Sequence, residues 1–134
     1  MSTTASQSLK TVYDFDGSST YVDRTKEART RSGTSFTIFS ATSKYLYLGH
    51  DEKFDMVLFD VDTAGDLGAL TWEFSNGSNW TEFAPSYDRI SVDGEPYGFD
   101  RDGAEIFLDN IVSDWATLTV NSVNIYWVRV RSAA

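Results

Sequence analysis

Cysteine is absent from the 134 residues, so disulfides and thiol chemistry are both excluded, and at this length a chain needs no such staples. Proline occurs twice and glycine nine times, too few for a low-complexity segment. A single histidine, His50, has no second imidazole to share a metal. No apolar run approaches the roughly 18 residues of a membrane span, so no membrane partner is expected. The first eight residues, Met1-Ser-Thr-Thr-Ala-Ser-Gln-Ser8, lack a basic start and an apolar stretch, and no secretory signal is read there. Positive charge is scarce too: fourteen Asp and six Glu face four Lys and seven Arg, for a net charge of −9. A surface of that sign repels phosphate backbones and argues against nucleic acid as a partner. The acid excess fits an ordinary acidic surface or adaptation to a salty cytoplasm, where salt screens the repulsion.

What the chain does have is rings. Aromatic residues make up 15% of it, with four Trp, seven Tyr and nine Phe, and bulky rings favour pleated surfaces. Leu70, Trp72 and Phe74 alternate with Thr71, Glu73 and Ser75, the period-two pattern of a half-buried strand. Asn76-Gly77 then offers positive-φ residues for a tight hairpin, with Trp80 on the returning strand. Asn124 to Arg131 repeats the pattern, with Ile125, Trp127, Val128 and Val130 set around Tyr126, Arg129 and Arg131.

Further strand-like segments lie at Leu9–Phe15, Ser35–Phe39, Lys44–Gly49, Asp55–Asp60, Asp88–Val92 and Ala104–Leu108, divided by Gly, Asp and Asn turns. This spacing predicts an all-β fold, a two-sheet antiparallel β-sandwich with jelly-roll character and roughly eight or nine strands. Residues 1–8 are expected to be a flexible tail and residues 9–134 a single sandwich domain. Val112–Trp115 is expected to open a short helical turn, capped by Ser113 or Asp114.

Chemistry-bearing residues are few. His50 has no serine or cysteine motif beside it and is read as an exposed turn residue. Glu73 and Glu105 could form a glycosidase pair only across a cleft, and both are read as solvent-facing strand residues. No catalytic residue is assigned, no enzymatic activity is expected, and no cofactor is implied. Asp60, Asp62 and Asp66, and Asp100, Asp102 and Glu105 around Gly103, are fragments of a calcium-loop pattern. They read better as turn formers, so no metal site is assigned. Asn76-Gly-Ser78 and Asn79-Trp-Thr81 match the glycosylation acceptor pattern. Trp72 shares a side with Leu70 and Phe74 and is read as core, which leaves Trp80 as the candidate platform for a sugar ring. Asp23 to Arg31 is a locally basic run, either a solvated loop or an arm that docks on an acidic neighbour, a second copy included.

Taken in order, Tyr45-Leu-Tyr-Leu-Gly49, Phe54 to Asp60, Leu70 to Trp80, Ser113-Asp-Trp115 and Val120 to Val130 resemble a β-sandwich module of tailed bacterial and archaeal virus structural proteins, found in baseplate, tail and head-surface positions. The likeness spans about residues 44–131. It departs from the module's pattern at Phe74-Ser75, where an aromatic pair is usual, at Ser122, where glycine is usual, and upstream of Asp114, where Val112 stands and a proline is missing. The resemblance implies a virion structural protein, a head-decoration or turret-type protein or a small tail or neck component, assembled in the host cytoplasm. Its expected partners are further copies of itself and other virion proteins, with Arg24, Lys26, Arg29 and Arg31 as assembly contacts. The alternative is a carbohydrate-binding module that uses Trp80 to recognise a host-surface glycan.

Overall fold

The computed structural model describes residues 10–25, 45–54, 56–59, 70–83, 86–87, 104–107 and 114–132. Ten strands form within them: β1 (Thr11–Phe15), β2 (Tyr21–Asp23), β3 (Tyr45–His50), β4 (Met56–Phe59), β5 (Leu70–Ser75), β6 (Trp80–Phe83), β7 (Ser86–Tyr87), β8 (Ala104–Phe107), β9 (Thr117–Val120) and β10 (Val123–Ser132). The fold is all-β. Seven strands make one sheet in the order β2-β1-β3-β10-β5-β6, with β9 also on β10, and β4-β8-β7 make a second sheet. All the strand pairings are antiparallel.

The ten-residue β10 organises the large sheet. One edge pairs with β3 from Tyr126 to Arg131. The other is shared end to end: β9 takes Val123 to Tyr126, and β5 takes Val128 to Ser132. Trp127 falls at the gap between these two partners, where a side chain replaces the missing strand. Ser75 Oγ accepts the Trp127 amide at 3.1 Å and donates to the Ala116 carbonyl at 2.6 Å. The Trp127 carbonyl in turn accepts the Trp115 indole N–H at 3.0 Å. A buried backbone pair left unmade would cost about 1–3 kcal/mol per group, which explains a serine in a run of rings.

Period-two alternation gives the sheet two unlike faces. Val12, Leu46, Leu48, Trp72, Phe74, Val128 and Val130 lie on one face, and all are buried. Burying such side chains is worth about 1.5–3 kcal/mol each, so this face is the main core. The opposite face carries Tyr13, Tyr47, Ile125 and Trp127 as a second buried cluster, ringed by half-buried Phe15, Tyr21, Tyr45 and Trp80. Gly49 lies opposite Trp127. A Cβ there would sit 2.6 Å from Ile125 Cδ1 and 2.7 Å from the Trp127 ring, so only glycine lets the indole cross the strand.

The β5–β6 hairpin differs from expectation. After Ser75 the chain turns through four residues, Asn76 to Asn79, with an Asn76 N–H to Asn79 carbonyl bond of 3.0 Å. Gly77 has φ of 102°, and Asn76 is not in the positive region. Instead the Asn76 carboxamide accepts the Ser78 and Asn79 amides at 3.3 and 2.8 Å and donates to Thr81 Oγ1 at 2.9 Å. The two-residue turn is elsewhere: Asn121 and Ser122, at φ of 48° and 71°, join β9 to β10. That geometry suits the right-handed twist of paired strands.

Among the remaining expectations, Ser35–Phe39, Asp88–Val92 and residues 1–8 lie outside the described residues, as do Val112 and Ser113 of the expected helical turn. Asp114 is a turn residue, and Trp115 is buried behind it. His50 closes β3 instead of sitting in the turn, half-buried, with its ring edge-on to Phe54 at 6.5 Å. The β4 and β8 segments appear within the expected limits. Strands β2, β7 and β9 were not expected from the sequence.

Candidate functional site

The second face of the large sheet brings together the polar and aromatic residues with chemical potential. Three rows of side chains cross it. Phe15, Tyr45, Arg131 and Thr71 are opposed in register, as are Tyr13, Tyr47, Arg129, Glu73 and Glu82, and as are Thr11, Gly49 and Trp127. Trp80 enters from β6 opposite Ser75.

Arg129 is the centre of the arrangement. Its guanidinium lies 4.1 Å from the Trp80 ring centroid, 4.6 Å from that of Tyr45 and 5.9 Å from that of Tyr47. Such contacts contribute about 0.5–2 kcal/mol each, more as water is excluded. Its Nε donates to Glu73 Oε1 at 2.8 Å, and Nη1 donates to the Tyr47 hydroxyl at 3.1 Å. The ion-paired side chains keep 17% and 19% of their surface, so water still reaches them. Glu73 Oε2 and Arg129 Nη2 make no hydrogen bond among the described residues. Burial raises the Tyr47 hydroxyl to about 12, partly offset by Arg129, so it stays protonated.

The rings hold one another in place. Tyr47 meets Trp80 edge-on at 5.5 Å, Tyr13 stacks on Trp127 at 5.6 Å, and Phe15 stacks on Tyr21 at 4.2 Å. Edge-to-face and offset pairs of this kind add about 0.5–1.5 kcal/mol beyond area burial. The Trp127 indole N–H donates to the Leu118 carbonyl at 2.9 Å, which fixes that ring beneath the hairpin.

At the far end of β1, Asp16 Oδ1 accepts the amides of Ser18, Ser19 and Thr20 at 2.8, 2.9 and 3.1 Å. The Ser18 amide, then those of Ser19 and Thr20, hold this exposed carboxyl well below the usual carboxylate range. The arrangement is a loop brace, and its acceptor is already filled.

Of the residues singled out from the sequence, Trp80 is placed on this face, half-buried and packed on Arg129. Glu73 is placed there too, as the partner of Arg129 and not as a solvent-facing strand residue. Arg24 follows β2 and is half-buried, its amide donating to the Val12 carbonyl at 2.8 Å. Lys26, Arg29 and Arg31 lie outside the described residues, as do Asp60, Asp62, Asp66, Asp100, Asp102 and Gly103. Glu105 is in β8, a different sheet from Glu73. Among the described residues, no group of three His, Cys, Asp or Glu converges as a metal site. Asn79 is exposed at the hairpin tip, while Asn76 is engaged by the turn it braces.

Arg129, Tyr45 and Tyr47 were not foreseen as part of a site. The available signal was parity: in a strand that buries Trp127, Arg129 must share its face. No protein-family model, curated protein or solved structure matches the chain.

Proposed function

We propose that the chain is a virion structural protein of a tailed virus, a jelly-roll-like sandwich that works by assembly. The observation that carries this reading is the position of the segments that resemble the viral module. Tyr45–Gly49 lies in β3, Leu70–Trp80 runs from β5 into β6, and Val120–Val130 spans the β9–β10 hairpin, so these three occupy neighbouring strands of one sheet, while Phe54–Asp60 covers β4 of the other. In this reading the apolar face of the large sheet is roofed by the β4-β8-β7 sheet, which supplies the second layer of the sandwich.

Assembly uses the ends of the large sheet. Strands β2 and β6 are its terminal strands among the described residues. Edge strands offer unpaired backbone groups to another chain. Val22 on β2 is 40% exposed, an apolar side chain on an open edge, and β2 leads into the basic run that holds Arg24, Lys26, Arg29 and Arg31. At the other end Glu82 is exposed and lies opposite Glu73. Opposite charge at the two ends favours head-to-tail contacts between copies, which close into a ring when the rotation permits. The assembled ring then sits on other virion proteins at a head-surface, tail or neck position.

Light scattering after size exclusion, at low and at molar salt, tests this. A discrete trimer, pentamer or hexamer that dissociates when Arg24, Lys26, Arg29 and Arg31 are all changed to Glu supports it. A monomer at every salt concentration that also fails to sediment with virus particles refutes it.

A further inference from the structure

We infer that Asn76 is a site of spontaneous covalent modification, deamidation through the neighbouring Gly77 nitrogen, and that Thr81 holds the reaction in check while the β5–β6 hairpin is closed. The inference is independent of the assembly reading and needs no ligand or partner.

Two demands of the turn place the reactive dipeptide at its tip. Gly77 sits at φ of 102°, where a residue with a Cβ is strained. Asn76 supplies the carboxamide whose oxygen accepts the Ser78 and Asn79 amides. The hairpin thus sets an asparagine directly before a residue with no side chain to shield its nitrogen. The other four asparagines, Asn79, Asn110, Asn121 and Asn124, precede Trp80, Ile111, Ser122 and Ile125, whose side chains hinder such an attack.

The chemistry balances with water alone. The Gly77 nitrogen bonds to Cγ of Asn76, and the Cγ–Nδ2 bond breaks. The Gly77 amide proton passes through water to the leaving nitrogen, which departs as ammonia. Water then opens the cyclic imide at either carbonyl. Opening at Cγ leaves an aspartate, and opening at the main-chain carbonyl leaves an isoaspartate. No electrons are transferred.

The closed hairpin opposes the first step. Attack requires the carboxamide to swing until Cγ faces the Gly77 nitrogen. Instead its oxygen is held by the Ser78 and Asn79 amides at 3.3 and 2.8 Å, and Nδ2, the leaving group, donates to Thr81 Oγ1 at 2.9 Å. Each such bond shifts the population a few-fold, so the three together slow the reaction by about tenfold or more. Gly77, Ser78 and Asn79 are exposed, so the tip opens without unfolding the sheet.

The two products differ in effect. Aspartate keeps the oxygen that the Ser78 and Asn79 amides need, and the Thr81 hydroxyl turns to donate to it. Isoaspartate adds a carbon to the main chain before Gly77, which breaks the bond from the Asn76 N–H to the Asn79 carbonyl and the bridge from Asn76 to Ala116. Ser75, next in the chain, holds the Trp127 amide, so that damage reaches the point where β10 changes partners.

The full chain is incubated in mildly alkaline buffer, folded and in urea, and conversion at each asparagine is followed by peptide mass mapping. Asn76 should convert fastest of the five asparagines in urea, and slower by about tenfold or more in the folded chain. Thr81→Val should raise the folded rate several-fold, and Thr81→Ser, which keeps the hydroxyl, should not. Gly49→Ala strains the sheet away from this hairpin and should not raise it either, which separates opening of the tip from global unfolding. Equal rates at Asn76 in the folded and unfolded chain overturn the inference. So does a folded rate that Thr81→Val leaves unchanged, or that Gly49→Ala raises as much. An Asn76 that stays intact in urea while another asparagine converts overturns the chemistry itself. Thr81 is exposed, so its replacement leaves the core untouched, and the wild-type comparison decides without it.

Discussion

Ser75 substitutes for a strand at Trp127. Its hydroxyl accepts the Trp127 amide at 3.1 Å and donates a hydrogen bond to the Ala116 carbonyl at 2.6 Å, bridging the point where β10 changes partners from β9 to β5. Removing that oxygen leaves a buried donor and a buried acceptor together. Ser75→Ala is therefore expected to cost about 2–3 kcal/mol, read as a lower urea midpoint at unchanged slope. Amide exchange at Trp127 should accelerate by more than at Val128 or Val130, whose ladders stay intact.

Gly49 is the second fixed point under Trp127. A methyl group at this position meets Ile125 and the indole at 2.6–2.7 Å, and both are buried between β3, β9 and β10. Gly49→Ala is expected to destabilise by about 1–3 kcal/mol through overpacking. Near-ultraviolet circular dichroism should change with it, since the displaced ring is the one stacked on Tyr13.

The β9–β10 turn offers a gain. Ser122 holds φ of 71°, a conformation that costs an L-residue about 1–2 kcal/mol and glycine almost nothing. Its side chain is exposed, so nothing is lost by removing it. Ser122→Gly should stabilise the protein by about 1 kcal/mol net of glycine's larger unfolded-state entropy. An unchanged or lower thermal midpoint would contradict the turn geometry.

Alkaline unfolding should report on Tyr47. Its hydroxyl is raised from the ordinary value of 10.0 to about 12 in the fold. The folded state thus holds this proton more tightly than the unfolded chain. The resulting stability is complete below pH 10 and is lost as pH rises from there through about 12. Tyr47→Phe removes this group's share of the decline, so its stability should fall less steeply across that interval than the wild type's. The absolute stability of the variant should be lower at pH 7, because Arg129 loses an acceptor.

Local pattern revealed the strands that bury one face, and it revealed them where alternation was clean. Leu70, Trp72 and Phe74 are a clear case, with Trp72 and Phe74 buried as expected. Thr117-Leu-Thr-Val120 alternates equally well, yet four residues beside a buried Trp115 carry a weak signal, and β2 and β7 are shorter still. Strand order was not legible at all. Nothing local to Val123–Ser132 says that it lies between β3 and β5, since those pairings join residues dozens of positions apart. The same separation hid the site. Glu73 alone reads as a solvent-facing acid, and only its pairing with Arg129, 56 positions along the chain, makes it half of a donor–acceptor pair. Trp80 was visible because it follows a turn, and Asn121-Ser122 was not because serine is an uncommon choice for positive φ.

The place of β10 has a consequence for how the fold is reached. It is last in chain order among the ten described strands, yet β3, β5 and β9 all pair with it. Until it pairs, the other described strands of this sheet lack the strand at its middle, and Tyr13 and Tyr47 lack Trp127. Pairings between residues so far apart in sequence are slow to form, and unpaired edges favour aggregation until they do. Chains that arrive together can meanwhile fill each other's vacancy, so crowding at the site of synthesis favours strand exchange between copies before each has closed on itself.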